Sequence, residues 1–143
     1  MAYQDCRDHI KGVLEAISIT DPVVQEIVKV YEQLPETLED VPCFVMGGSS
    51  GGTGWSVGGV STAGLEEHTE RCGLLVEDAD YEQAGKVLRA FWKATLTAFQ
   101  DDSGLGGHGQ VSAFRWEEPE PLSYAGRHYV GQDFLITFMV KVP

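Results

Sequence analysis

Positive charge is scarce in this sequence. Its 143 residues carry ten lysines and arginines against twenty-two aspartates and glutamates, a formal net charge of −12. A field of that sign repels phosphate backbones and anionic lipid surfaces, so neither a grip on nucleic acid nor docking on a membrane is expected. Long apolar runs are missing as well. No stretch approaches the roughly 18 residues that a membrane-crossing helix needs, and Asp5, Arg7 and Asp8 interrupt the opening residues where a secretory leader requires an unbroken apolar segment. The expected setting is the cytosol. Cysteine is sparse too: Cys6, Cys43 and Cys72 are too few and too scattered for a disulfide framework, and none forms a Cys-x-x-Cys pair. Three reduced thiols are expected.

What is present is an ordinary folding composition. Apolar residues make up 43% and charged residues 22%, close to the averages of globular chains, and a chain of this length buries about two-thirds of its unfolded surface. The expectation is one domain over residues 1–143. Its acidity is uneven, because ten acids between Glu32 and Asp80 (Glu32, Glu36, Glu39, Asp40, Glu66, Glu67, Glu70, Glu77, Asp78, Asp80) meet a single base, Arg71.

Apolar spacing sets the expected elements. Cys6, Ile10, Val13, Leu14 and Ile17 recur every three or four residues, which predicts an amphipathic helix over Tyr3 to Ile17. From Pro22 to Val30 two readings stand: the Asp21-Pro22 opening suits a helix, and the density of valine and isoleucine suits a strand. Pro42 to Met46 reads as a strand buried on both faces, and Thr69 to Glu77 as a second, antiparallel to it. Between them lie Gly47 to Gly64, with eight glycines in eighteen residues, expected as a flexible hairpin loop. Asp80 and Gln83 resemble a capping box opening a long helix whose apolar face is Ala84, Val87, Leu88, Phe91, Trp92, Thr95 and Phe99, stopped by a left-handed Gly104. Val111 to Trp116 and Tyr129 to Val142 are the last strands, the latter with Phe134, Ile136, Phe138, Val140 and Val142 on one face and Asp133, Thr137 and Lys141 on the other, wetter one. The pattern predicts an α+β fold: a mostly antiparallel sheet packed against one long helix, with an N-terminal helix and a long glycine-rich hairpin loop.

Several residue groups suggest chemistry. Gly47-Gly48-Ser49-Ser50-Gly51 matches G-x-S-x-G, but the nucleophile elbow of a hydrolase must turn straight into a helix, and Gly51-Gly52-Thr53-Gly54 follows instead. The same segment lacks the G-K-[ST] ending of a phosphate loop. His68 and Cys72, with His108 or His128, have ligand chemistry, yet on a strand residues four apart are separated by about 13 Å, too far to chelate one ion. The pairs Asp101 with Asp102 and Glu117 with Glu118 sit at turns and read as solvated acids. No cofactor is expected. On the polar side of the long helix Lys86, Arg89 and Lys93 form a basic stripe beside Glu82. It reads either as a solvated face or as an intersubunit surface docking on the acidic middle of an identical neighbour.

The order of features resembles the tail terminator (tail completion) proteins of long-tailed bacteriophages and related gene-transfer particles. The likeness is carried by the amphipathic first helix, by Val30-Tyr31-Glu32-Gln33-Leu34-Pro35 and by Val41-Pro42-Cys43-Phe44-Val45-Met46-Gly47-Gly48. It continues through the long loop to Glu70-Arg71-Cys72-Gly73-Leu74-Leu75-Val76, the long helix and the closing Tyr129-x-Gly131-x-x-Phe134-x-Ile136. The resemblance implies a structural protein without catalytic residues that forms a homo-oligomeric ring, commonly hexameric. Such a ring caps the tail tube, touching the tail tube protein and the head-connector proteins at the head–tail junction of the virion, after assembly in the host cytoplasm. DNA would pass through without specific binding, in keeping with the acidic charge, and no membrane partner is implied. Trp55 and Val57, apolar residues in the glycine-rich loop, are the expected contacts to the tail tube or a neighbouring subunit, and Lys86, Arg89 and Lys93 the expected oligomer interface. The alternatives are a small monomeric module binding through the glycine-rich loop and a hydrolase using Ser49 or Ser50.

Overall fold

The computed structural model describes residues 2–32, 41–46, 57–60, 64–77, 80–124 and 126–141. Helix α1 (Ala2–Glu15) buries Cys6, Ile10 and Leu14 completely, as its apolar spacing predicts. It stops short of Ile17 because the chain leaves through a tightened turn, in which the amides of Ala16 and Ile17 donate to the carbonyls of Val13 and Leu14.

The ambiguous segment that follows is extended. Strands β1 (Ser18–Ile19) and β2 (Gln25–Glu26) pair antiparallel in a small ribbon, and β3 (Lys29–Tyr31) enters the main sheet. Pro22 therefore opens no helix. Its peptide bond to Asp21 is cis and lies in the bend between β1 and β2, so the β-branched side chains, which suit a pleated surface, decide this stretch.

The main sheet also holds β4 (Cys43–Met46), β5 (Val57–Val60), β6 (Leu65–Glu77), β7 (Gln110–Trp116), β8 (Glu120–Tyr124) and β9 (Arg127–Lys141). Its path runs β3-β4-β6-β9-β7, with β5 added beside β6 and β8 beside β9. Only the β3–β4 pairing is parallel among the described strands. The chain is thus α+β with a mostly antiparallel sheet. The β6–β9 ladder is unbroken from Leu65 opposite Lys141 to Glu77 opposite Tyr129.

Two strands lie where loop or linker was expected. β5 falls inside Gly47 to Gly64 and pairs with Thr69 to Glu66 of β6; the ladder bonds of an already formed neighbour hold a Val-Gly-Gly-Val segment that would not be a strand alone. β8 includes Pro121 opposite Val130, which is tolerated because β8 lies at an edge of the sheet where a missing amide need break no ladder. The remainder of Gly47 to Gly64, apart from Gly64 itself, lies outside the described residues.

Alternation along the strands sorts the core into two clusters. Toward the helices point Phe44, Met46, Cys72, Leu74, Val76, Phe134, Ile136, Phe138 and Val140, joined by Cys6, Ile10 and Leu14 of α1. Against the other face Cys43, Val45, Leu75 and Tyr129 gather with Tyr31, Val41 and Leu122, which is why β4 is buried on both sides and why β9's outer face is buried at Tyr129 but only half-buried at Asp133, Leu135, Thr137 and Met139.

Helix α2 (Tyr81–Asp101) starts as its sequence requires: Asp80 is the N-cap, its carboxylate accepting from the Glu82 amide at 3.1 Å. Ala84, Val87, Leu88, Phe91, Thr95 and Phe99 are buried, and Thr95 ties its hydroxyl to the Phe91 carbonyl. Trp92 departs from the expected core face. It is 38% exposed, since it sits on the flank of the buried stripe and leans toward Trp116 at the end of β7. Gly104 departs too, with φ −84°; positive φ is taken up next door by Leu105, Gly106 and Gly107. Glycine is required at Gly106, where a Cβ would stand 2.7 Å from the His9 ring.

Candidate oligomer interface

The basic stripe comes from the same helical period that buries Phe91. With Phe91 against the sheet, Lys86, Arg89 and Lys93 fall on the opposite side of α2, and all three are exposed. They span two turns, about 10 Å of helix axis. No ion pair among the described residues includes any of them, although Glu82 lies four residues before Lys86. Beside Lys93 an open trough of about 420 Å³ lies between the C-terminal half of α2 and the exit of α1, lined by Ala16, Ala94, Ala98 and Asp101 among others. Small side chains on adjacent turns let another backbone approach closely.

Among the described residues the acidic middle is not one patch. Glu70 points into the core and is fully buried, where Arg7 Nε donates to its Oε1 at 2.9 Å. The same guanidinium reaches Glu32 Oε1 at 3.3 Å. Glu66 is bonded to His68, Asp80 caps α2, and Arg71 lies 2.6 Å from Glu117 and 3.2 Å from Asp133. Burial pulls the Arg71 guanidinium toward deprotonation, but hydrogen bonds and charge from Asp133 and Glu117 outweigh it and hold the group above its ordinary value. Glu67 and Glu77 remain exposed; Glu36, Glu39, Asp40 and Asp78 lie outside the described residues.

The other candidates do not converge. His68 stacks on Phe138 with ring centroids 5.6 Å apart, and Cys72 is buried four residues along the same strand. His108 lies instead near His9, and His128 is exposed on β9. Among the described residues no group of three could hold a metal ion. All three cysteines are buried and outside any disulfide. Burial raises the Cys72 thiol well above its usual range, and burial followed by the Asp5 charge raises Cys6. Ser49, Ser50 and Trp55 lie outside the described residues, and of Val57 only the backbone is described, paired with Thr69.

Comparison with known proteins does not place the chain. No family model matches it, and no curated protein does.

One pair went unanticipated. His9 on α1 is hydrogen-bonded to Asp102 at the end of α2, and the other Asp102 oxygen accepts from the Gly106 amide at 3.2 Å. The His9 bond holds the Asp102 carboxyl below the usual carboxylate range; burial opposes it, and the Gly106 amide and the His9 charge add to the lowering. The sequence offered a faint signal, since Asp102 directly precedes the Ser103-Gly104 turn where a carboxylate commonly caps backbone amides. Nothing local announces His9 as its partner.

Proposed function

We propose that the chain is a structural subunit of a head–tail junction: identical copies form a ring, hexameric in the simplest case, that caps a tail tube and joins it to the head. The observation that carries this reading is the element order. The segments behind the resemblance occupy an N-terminal amphipathic helix, β3, β4, β6, the 21-residue α2 and β9 in that sequence. In this reading the chain is not an enzyme and uses no cofactor. The Lys86, Arg89 and Lys93 stripe serves subunit contact. The glycine-rich 47–64 segment, which contains β5, reaches the tail tube or a neighbour through Trp55 and Val57. The acidic surface, at net charge −12, lets DNA thread the channel without adhering.

Native mass measurement combined with sedimentation velocity tests the reading. A discrete species of several copies, annular in negative stain, is the expected result. A monomer at all accessible concentrations would overturn it.

A further inference from the structure

The two helices share one side of the sheet, and their outward faces carry opposite charge. On α1, Cys6, Ile10 and Leu14 face the core, so Asp5, Asp8 and Glu15 fall on the far side, and all three are exposed. Their rows follow the spacing of three and four residues that places Lys86, Arg89 and Lys93 on α2. Gly12 fills the remaining place in the acidic row, and a Cβ there would meet nothing within 4 Å, so the row contains a shallow gap open to solvent. Lys11 lies to the side, half-buried, and Arg7 is turned inward to Glu70 and Glu32. Within one chain the two rows do not neutralise each other: among the described residues no ion pair joins them. Within α1, Gln4 donates to Asp8 at 2.8 Å.

We infer that α1 of one copy docks on α2 of a second copy, with Asp5, Asp8 and Glu15 lying along Lys86, Arg89 and Lys93. This rests on the homo-oligomer reading above and names the surfaces that meet. The occupant is another copy of this chain because each chain carries both halves of the match. A net charge of −12 pushes copies apart at long range, but screening confines charge effects to roughly 8 Å at physiological salt. Inside that distance the local complement decides orientation. The gap at Gly12 gives the long basic side chains room to lie across α1, and the alanine-lined trough beside Lys93 admits the neighbour's backbone.

A charge-exchange experiment tests the contact. The variant Lys86→Glu/Arg89→Glu/Lys93→Glu and the variant Asp5→Lys/Asp8→Lys/Glu15→Lys each oppose like charges, so each alone is expected to lose assembly while keeping the wild-type circular dichroism. Mixed in equal amounts they match again, and the mixture is expected to recover the wild-type mass in native measurement. Should either triple variant alter the helical signal, Arg89→Glu and Asp8→Lys repeat the exchange with one charge on each helix, read as weakened assembly alone and recovery in the mixture. If either triple variant alone assembles like wild type, or if the mixture stays monomeric, the docking is refuted while the ring reading stands. A monomeric wild type would remove both.

Discussion

Replacing Arg7 by methionine keeps most of the side chain's length but removes the charge that faces Glu70. Glu70 is fully buried while Arg7 retains 12% side-chain exposure, so the substitution strips an interior carboxylate of its guanidinium partner. Breaking one side of such a pair destabilises by about 3–5 kcal/mol. With a urea slope of about 2 kcal/mol/M, the unfolding midpoint falls by about 1.5–2.5 M. That is a large share of the 5–15 kcal/mol typical of folded domains. The same arginine supplies an internal control. Its second partner, Glu32, is 52% exposed, and Glu32→Ala is expected to change stability by about 0–1 kcal/mol. The double variant Arg7→Met/Glu70→Leu, which leaves no buried charge, is expected to return to within about 1 kcal/mol of wild type or to exceed it. Urea melts followed by far-ultraviolet circular dichroism measure all four proteins. If Arg7→Met and Glu32→Ala have equal small effects, the Glu70 pair behaves as solvated surface and the assignment of a buried ion pair between α1 and β6 is wrong.

Phe91→Ala removes a fully buried ring between α2 and the sheet and is expected to destabilise by about 3–5 kcal/mol in denaturant melts; a change under about 1 kcal/mol would misplace the helix face. Asp102→Asn is expected to lower the melting temperature at pH 7, and the difference from wild type should disappear in acid. The sign follows from the carboxyl's depressed value: its stabilisation is complete above the ordinary carboxylate range and is lost as pH falls through the folded-state value. A difference that grows toward pH 3 would contradict this. Cys6 and Cys72, both raised and buried, should resist iodoacetamide at pH 8 in the folded protein and react in urea, as read by mass.

Legibility in the sequence followed the locality of the forces. α2 was readable because its cap at Asp80 and its apolar period are written within one segment. β4 and most of β9 were readable for the same reason. β5 was hidden because Val57-Gly58-Gly59-Val60 has no intrinsic strand preference and exists through its pairing to β6. β8 was hidden behind Pro119 and Pro121, which usually punctuate strands. The conformation of Pro22 yielded to its β-branched neighbours, and the turn after α2 placed its positive φ at Leu105 to Gly107 instead of Gly104. At the candidate interface the basic stripe was visible from spacing alone. An acidic docking surface was expected in the middle of the chain, where acids are most numerous; of those, Glu32 and Glu70 are engaged by Arg7, Glu66 by His68, and Asp80 by the α2 cap. Glu70 did carry a clue, as it shares parity with the apolar Cys72, Leu74 and Val76.

The long β9 has β6 along one side and β7, then β8, along the other, and it is the last of these strands to be synthesised. While α2, β7 and β8 emerge, β6 has a thirteen-residue edge whose eventual partner does not yet exist. An unpaired edge of that length is a template for other nascent chains. The charges Glu66, Glu67, Glu70 and Arg71 on its first half then act as guards against mispairing during synthesis. Because three of the six described ladders of the main sheet, those of β6, β7 and β8, close on β9, and the β6–β9 ladder joins segments distant in sequence, that half of the sheet forms late, which slows folding. In the proposed ring, assembly of copies would wait for that closing strand.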